Sequence, residues 1–294
     1  MSIIGGLLSL PFGFAIQAYK QACFELPLQD ENFKRIHKND SRYNEILKSL
    51  PGNHIKDAMQ PFLDKVGIRK DLIFVEYPNM GFCSAKGTNM FRKNDAAVII
   101  APDFYEASND ACSWMMKHEI SHIKHNDTFT MSCVPGICQF AASIFGMCFL
   151  SFLSTLGVVY TVGLVSQSVF SKWREAKADD FAIENSSDEE LKGGRRLLMA
   201  MQETSLEERN TFWKRIAISS NGDNRLDFMH PSNSNRIQKI EKVLRERESQ
   251  SDKATEKQNM KCMKRYVADK KRELESAVQQ NGGTLALLLQ MLSF

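Results

Sequence analysis

The chain has 294 residues, of which 43% are hydrophobic and 25% are charged, and it contains only 16 Gly and 8 Pro. This composition is typical of folded globular proteins, so it excludes the collagen-like and intrinsically disordered classes. The 38 basic and 35 acidic residues leave a formal net charge of +3, which is too small to indicate a nucleic-acid partner. The seven cysteines lack the spacing of a disulfide framework, so we expect reduced thiols.

The N-terminal part of the chain is apolar. Residues 2–19 carry no charged side chain, but Pro11 and Gly13 interrupt them and no basic region precedes them. Because a cleaved signal peptide normally begins with basic residues, residues 1–27 are predicted to form an uncleaved anchor or an interfacial helix. A helix buried in the protein is the alternative.

A small sheet is predicted next, at the start of a domain that we place at residues 28–250. Residues 72–77 and 96–101 are two runs rich in β-branched side chains, and they are followed by Pro78 and Pro102. Runs of this length and composition are typical of strands, and proline ends them because it cannot donate a backbone hydrogen bond. Both runs are therefore predicted to be strands of one sheet.

The chemically informative motif is H-E-x-x-H at His118, Glu119 and His122. Asn109 or Asp110 can cap a helix before it, and the two histidines, four residues apart, then lie on one face. Two imidazole nitrogens on one face suit a zinc ion that has a third protein ligand and an open position for water. Glu119 lies beside the first ligand, where it can take a proton from that water. In isolation the motif also fits surface histidines on an ordinary helix.

The third ligand is expected farther along the chain. The metzincin class requires Gly at position 125 and His at position 128, whereas this chain has His125 and Thr128. Glu175 and Asp179, four residues apart, share a predicted helix face. Glu175 can bind the metal, and Asp179 can accept the second N–H of a ligand imidazole. Without the histidines, a charged helix end would explain this pair equally well.

An apolar block separates the two halves of this site. Residues 128–171 are 44 positions without a charged side chain or a histidine. As helix they extend for about 66 Å, enough for two passes through a hydrocarbon core of about 30 Å. The pattern predicts a hairpin with arms at 134–153 and 156–170 and a turn at 154–157. A hairpin buried within a soluble protein is the alternative.

Basic residues flank both ends of the block. They are Lys117, Lys124, Lys172, Arg174 and Lys177. Because cytoplasmic flanks of membrane segments are enriched in Lys and Arg, this pattern predicts a membrane protein, in the cell inner membrane, with its metal domain on the cytoplasmic side.

The remaining chain is predicted to be helical. Ser187-x-x-Glu190 and Ser205-x-x-Glu208 have the pattern of capping boxes. His230 precedes Pro231, which is typical of an extended turn from which a side chain can point into a cleft. Residues 251–294 are expected to form a charged helical tail, in which residues 261–272 carry six basic residues and one acidic residue. A solvated helix face explains this basic run, and contact with an anionic membrane surface is the alternative.

These motifs, in this order, resemble those of the gluzincin family of membrane-associated zinc endopeptidases. The family includes the HtpX heat-shock protease, the CAAX prenyl proteases and the mitochondrial OMA-type stress protease. The resemblance covers most of residues 57–240. It comprises a strand, an edge at residues 82–87, a second strand, the H-E-x-x-H motif continued to His125, the apolar hairpin, E-x-x-A-D at residues 175–179, and His230-Pro231 followed by Arg236-Ile237.

The resemblance implies a predominantly helical α+β fold. It implies a gluzincin-like peptidase domain with a small sheet, and an apolar hairpin inserted between the metal-ligand helices. One zinc ion per chain is implied, with His118, His122 and Glu175 as its ligands and Glu119 as the base.

Further roles are implied for residues around the zinc ligands. Asp179 supports a ligand histidine, and His230 and Arg236 support the oxyanion and the metal site. The edge residues that are expected to pair with an extended polypeptide substrate are Phe82, Cys83, Ser84 and Ala85.

We therefore expect a zinc metalloendopeptidase that hydrolyses peptide bonds of membrane-associated or unfolded proteins, in protein quality control. The expected partners are polypeptide substrates and a lipid bilayer. One alternative is a non-catalytic membrane scaffold that retains the peptidase fold, and another is a soluble peptidase with the hairpin buried in the protein. The intact Glu119 disfavours the scaffold, because a structural metal site needs ligands but no base.

Overall fold

The structure is a computed structural model, and it describes residues 28–29, 34–37, 39–49, 53–69, 71–76, 83–90, 96–101 and 107–281, together with Ile16 and Lys20. Most of the predicted anchor at residues 1–27 lies outside the described residues, as do Phe82 of the predicted edge and the last 13 residues of the predicted tail.

Helices make up most of the described chain. The strands are β1 (Leu28–Gln29), β2 (Arg35–Ile36), β3 (Ile73–Glu76), β4 (Ser84–Lys86) and β5 (Ala97–Ile100). The helices are α1 (Tyr43–Ser49), α2 (Asn53–Val66), α3 (Asn109–Lys124), α4 (Asp127–Phe149), α5 (Phe152–Glu184), α6 (Asp188–Glu207), α7 (Phe212–Ala217) and α8 (Asn233–Asn281). The predominantly helical α+β fold predicted from the sequence is confirmed.

The larger sheet has the strand order β3-β5-β4. β5 is buried along its whole length and pairs with β3 in parallel and with β4 in antiparallel orientation. Both strands predicted from β-branched runs are present, to within one residue at each end. β4 lies at the edge, where the resemblance placed it, so its outer backbone groups face away from the sheet.

The hydrophobic core lies between this sheet, α2 and α3. Its buried members include Leu63 of α2, Phe74 and Val98 of the sheet, and Ile120 and Ile123 of α3. Ile120 and Ile123 have the spacing of one helix face, and this face is buried against the sheet. The packing fixes the rotation of α3 and therefore the direction in which its histidines point.

α3 begins one residue earlier than predicted. Its N-cap is Ser108, whose side chain accepts from Ala111 N, so the predicted caps Asn109 and Asp110 lie within the first turn. Ser108 is the N-cap because its backbone is extended, which lets its hydroxyl oxygen reach the free amides at the start of the helix.

One of the two predicted capping boxes is present, and the prediction of the other is wrong. Ser187 and Glu190 form a reciprocal capping box at the start of α6. Ser205 instead lies inside α6, where its hydroxyl donates to Met201 O over 2.9 Å. The amide groups beyond Ser205 already have helical partners, so its side chain has no free amide to cap.

Two features hold α6 close to α3. Glu190 accepts from Lys117 Nζ over 2.6 and 2.7 Å and also bonds Ser113. A Cβ on Gly193 would meet the chain at Asp110 and Ala111, and a Cβ on Gly194 would meet the ring of Trp114. Glycine at both positions therefore allows the close approach of the two helices.

The apolar block forms a helical hairpin of α4 and α5, but its turn differs from the prediction. The turn is at residues 150–151, where Ser151 caps α5 by accepting from Ser154 N. Residues 154–157, predicted as the turn, lie in the first turns of α5, because a serine N-cap favours the start of a helix more strongly than Gly157 disfavours its continuation. The second arm is therefore longer than predicted. By length and composition alone, Asp127–Gly146 and Leu153–Glu184 could each cross a membrane.

The chain divides into two compact units, residues 1–241 and 242–294. The first contains the sheet, α3 to α7 and the first turns of α8. In the second, the described residues continue α8, and most of their side chains are exposed.

Candidate metal centre and catalytic cleft

Three side chains converge in the first unit. His118 and His122 project from α3, and Glu175 comes from α5 after the hairpin. Their ligand atoms lie within 4.8 Å of one another, and all three side chains are buried. Glu175 lies 3.2 Å from His118 Nε2 and 3.5 Å from His122 Nε2 through its two oxygens. His118 and Glu175 are 57 residues apart along the chain. The hairpin between them reverses the chain direction and brings them together.

Asp179 lies behind His118, as expected from its spacing to Glu175. Asp179 Oδ1 is 2.9 Å from His118 Nδ1, which leaves Nε2 directed at the shared centre. Arg236 donates to both oxygens of Asp179, from Nε over 2.8 Å and from a terminal nitrogen over 2.7 Å. The guanidinium also lies 5.7 Å from the centre of the Trp114 ring. Arg236 thus fixes Asp179 and holds its carboxylate beside Nδ1 of His118.

Asp127 has the same position behind His122, and sequence reasoning missed it. His122 Nδ1 lies 2.8 Å from Asp127 Oδ2, and Asp127 is buried at the start of α4. Asn126 makes this approach possible, because its left-handed backbone (φ 58°, ψ 37°) turns the chain back between α3 and α4. An acidic residue five positions after the second histidine was visible in the sequence, but the turn was not.

The site is electron-rich. Burial alone lowers the pKa of His118, but the carboxylates of Asp179 and Glu175 outweigh burial and raise it from 6.5 to about 9. The pKa of His122 is also raised, because Asp127 and Glu175 outweigh the effect of burial. The centre therefore stabilises positive charge between its side chains.

The donor set fits a divalent cation. Two imidazoles and one carboxylate are ligands that zinc prefers, at nitrogen distances of about 2.0 to 2.1 Å. Ligand atoms around a tetrahedral ion of this size lie about 3.3 Å apart, close to the two observed separations of 3.2 and 3.5 Å. Four carboxylates and two guanidinium groups surround the imidazoles, which leaves a surplus of two negative charges. These are the side chains of Glu119, Asp127, Glu175, Asp179, Arg174 and Arg236.

Glu119 lies at the junction of two cavities. It lines one cavity of about 390 Å³ together with His118, and another of about 410 Å³ together with His122. Glu175 and His230 line both cavities. A polypeptide crossing from one cavity to the other would pass Glu119 and the three candidate ligands.

His230 is brought to this cleft from the loop before α8. Its side chain is 51% exposed, and its Nδ1 lies 2.9 Å from Asp227 Oδ2. The backbone amides of Met229 and His230 donate to the other oxygen of Asp227. His230 and Met229 donate to the carboxylate more strongly than burial opposes its charge, so the pKa of Asp227 is lowered. Asp227 therefore orients His230.

The described edge residues line the same cleft. Cys83, Ser84 and Ala85 border the larger cavity, and Cys83 borders both. Burial raises the pKa of the Cys83 thiol to about 12, so this cysteine is a neutral wall of the cleft and not a nucleophile. Six cysteines of the described chain are free, as expected for reduced thiols.

Comparison with known proteins agrees with this geometry. A search among curated proteins found none that matches the chain. The model of peptidase family M48 matches residues 57–244. This range begins in α2 and ends in α8, and it contains the sheet, the hairpin and every residue of the cleft described above. Because the match covers more than half of the 294 residues, the chain belongs to peptidase family M48, a family of metal-dependent peptidases.

Proposed function

We propose that this protein is a zinc-dependent metalloendopeptidase that cleaves membrane-associated or unfolded polypeptides at the membrane surface. The proposal is carried by one observation: His118, His122 and Glu175 converge beside Glu119, where two cavities meet. Ligands, base and an open cleft are the parts that metal-assisted hydrolysis of a peptide requires.

One zinc ion per chain would be held by His118, His122 and Glu175. Asp179 and Asp127 would each hold one imidazole through Nδ1, which keeps Nε2 free for the metal. A zinc ion bound there supplies a Lewis acid that polarises the scissile carbonyl and lowers the pKa of the attacking water.

Two side chains handle the protons and charge of the reaction. Glu119 takes a proton from the water as the water oxygen bonds to the carbonyl carbon. It then delivers this proton to the amine nitrogen as the C–N bond breaks. The Nδ1 atom of His230 lies against Asp227, so its Nε2 would be the atom that donates a hydrogen bond to the carbonyl oxygen as negative charge develops there. Arg236 acts through Asp179 and does not contact the substrate.

An extended substrate is proposed to bind along β4. The outer edge of β4 offers backbone hydrogen bonds, which give affinity without requiring a particular sequence. Cys83, Ser84 and Ala85 would lie beside the bound chain, as would Phe82. Backbone recognition of this kind suits unfolded proteins, which supports a role in quality control.

A position in the membrane is supported by the hairpin. Near its turn, the side chains of Phe149 and Leu153 are 72% and 78% exposed. Exposed apolar residues continue along both arms, among them Ile137, Phe145, Tyr160, Leu164 and Val169. Since large apolar faces in water are unfavourable, a lipid environment explains them better than a soluble protein with a buried hairpin. We propose the cell inner membrane, with the metal domain on the cytoplasmic side.

The base of the hairpin forms part of the cleft. Thr128 and Met131 of α4 and Ser171 and Arg174 of α5 line the larger cavity. The cleft therefore opens where the proposed membrane segments leave the lipid, and segments of polypeptide close to a membrane would reach it first. This position supports membrane-associated proteins as substrates.

The decisive experiment separates metal binding from cleavage. The full chain is purified in detergent, and zinc content and casein cleavage are measured for the wild type, Glu119→Gln and the control Glu184→Gln, an exposed residue at the end of α5. We expect all three to bind one zinc ion, whereas cleavage falls by roughly 10² to 10⁴-fold in Glu119→Gln alone. A wild type that binds zinc but cleaves no polypeptide would instead support the membrane scaffold.

A further inference from the structure

The segment between α6 and α8 carries an apolar surface that the described chain leaves uncovered. α7 has no buried residue. Phe212 and Trp213 on it are 68% and 76% exposed, and their ring centres lie 5.3 Å apart. Ile216, Leu226 and Phe228 are exposed as well. We call these five residues the aromatic patch. A patch of this size indicates a binding partner, because five large apolar side chains rarely face water together.

Hydrogen bonds connect the patch to the base of the hairpin. Arg225 N donates to Ala217 O over 2.7 Å, which joins the end of α7 to residues 225–228. Ser168 Oγ of α5 donates to Phe228 O over 2.7 Å. Ser168 lies within the last turn of the uncharged block. The patch is therefore attached at the level where α5 leaves the proposed hydrocarbon region.

The composition of α5 at this level is that of a membrane interface. Phe170 and Trp173 follow the apolar arm, with ring centres 5.3 Å apart, and Lys177 Nζ lies 5.3 Å from the Trp173 ring. Aromatic and basic side chains are enriched at the boundary between lipid tails and headgroups. Phe228 is tied to the same turn of α5, so it lies at the same depth.

Exposed basic side chains lie beside the patch. Lys214, Arg215 and Arg225 are exposed beside the aromatic side chains. Lys214 Nζ donates to the exposed Glu208 over 3.2 Å. Asp223 accepts from Gln202 and Ser234, and Asp227 accepts from Met229 and His230, so these two carboxylates are engaged within their own segment. This combination of bulky aromatic side chains and exposed cations, of which Lys214 alone is described with an ion-pair partner, is complementary to anionic lipid headgroups.

We propose that the aromatic patch is a second membrane-binding element, which inserts Phe212, Trp213 and Phe228 into the headgroup region of an anionic bilayer. The proposal rests on the proposed function, because it takes this bilayer to be the one that contains the hairpin. His230 lies two residues after Phe228, so binding of the patch would hold the cleft against the membrane surface. Substrate segments would then be those that emerge directly from the bilayer.

Tryptophan fluorescence can test the proposal on the full chain. The sequence has three tryptophans, of which Trp114 is fully buried. In a Trp173→Phe background, lipid contact is reported by Trp213 alone. The protein is reconstituted into phosphatidylcholine vesicles with or without phosphatidylglycerol, and quenching by lipids brominated near the headgroup is measured. We expect a loss of emission that disappears when Trp213 is also replaced by Phe, and that is larger with phosphatidylglycerol.

A second reporter separates the patch from the hairpin. Phe149→Trp in a background lacking Trp173 and Trp213 reports insertion of the hairpin turn through lipids brominated deep in the acyl chains. Quenching at this position without quenching of Trp213 would overturn the patch and leave the hairpin intact. Quenching of Trp213 alone would support the patch and overturn the hairpin, and quenching of neither would overturn both.

Reversing the charge of two basic residues tests the electrostatic part of the proposal. Lys214→Glu with Arg215→Glu should abolish the added effect of phosphatidylglycerol on Trp213 while leaving the Phe149→Trp signal unchanged. An unchanged dependence on phosphatidylglycerol would contradict the electrostatic part. The proposal would be overturned if brominated lipids did not quench Trp213 but its emission changed with protein concentration in detergent. That result would assign the patch to contact with a second copy of the chain.

Discussion

Each candidate ligand histidine has its own carboxylate partner, and the two partners come from different parts of the chain. Asp179 reaches His118 from α5, and Asp127 reaches His122 from the start of α4. Both carboxylates are buried. A carboxylate outside the ligand set therefore lies beside Nδ1 of each imidazole.

We predict that Asp127→Ala weakens zinc affinity by roughly 10 to 100-fold, because His122 loses the group that fixes its tautomer and orientation. Competition with a chelator, followed by a zinc-sensitive dye, measures this affinity without relying on activity. Asp179→Ala should show a loss of the same order. Asp180→Ala, at an exposed neighbour that pairs with Lys239, is the control. An affinity unchanged in Asp127→Ala would show that the observed contact is not needed for metal binding.

His230 should affect catalysis and not metal binding. His230→Ala is expected to lower kcat by roughly 10² to 10³-fold, the typical loss of one oxyanion donor, with zinc content unchanged. Asp227→Asn should give a smaller loss, because it weakens the orientation of His230 but keeps the imidazole. A fall in zinc content in either variant would instead place the pair among the groups that hold the metal.

Between elements, the contact of α3 with α6 sets the position of the histidine-bearing helix. A Cβ on Gly194 would meet the Trp114 ring, and this ring also lies against Arg236. We predict that Gly194→Ala lowers the free energy of unfolding by about 1 to 3 kcal/mol, because the added methyl group overpacks this contact. Chemical unfolding in detergent measures the effect. Lys192→Ala, on the exposed side of the same helix, should change stability by less than about 0.5 kcal/mol.

The same pair of helices should respond to acid. Burial alone raises the pKa of Glu190, but hydrogen bonds from Lys117, Ser113 and the Ser187 amide outweigh it and lower the pKa below 4.5. Because the folded-state pKa is lower than the unfolded-state value, the stabilisation is present above about pH 4.5 and is lost as the pH falls through the folded-state pKa. Unfolding measured against pH should show a shallower acid dependence for Glu190→Gln than for the wild type. The exposed neighbour Glu189→Gln should keep the wild-type dependence.

At the scale of the whole molecule, the candidate metal site restricts the topology. His118 and His122 precede the hairpin and Glu175 follows it, so both ends of the hairpin must lie on one side of any membrane. We predict that single cysteines at Asn126 and Lys172, placed in a chain without native thiols, react with an impermeant reagent only from the cytoplasmic side. Labelling of the two positions from opposite sides would mean one crossing, which would contradict both the hairpin and the zinc site.

By itself the sequence determined much of the fold and of the candidate site. β-branched runs predicted β3 and β5, since such residues favour extended backbone wherever they are buried. The four-residue spacings of His118 with His122 and of Glu175 with Asp179 predicted which side chains share a helix face. These features depend on residue type and local periodicity, and both can be read along the chain.

Only the tertiary structure decided the remaining features. The hairpin turn lies at residues 150–151 because Ser151 caps the start of α5 there, and Ser205 lies within α6 because its neighbours already have helical partners. Asp127 became the partner of His122 through the left-handed backbone at Asn126. These outcomes depend on which backbone groups are satisfied and on how the chain reverses direction, and residue spacing records neither.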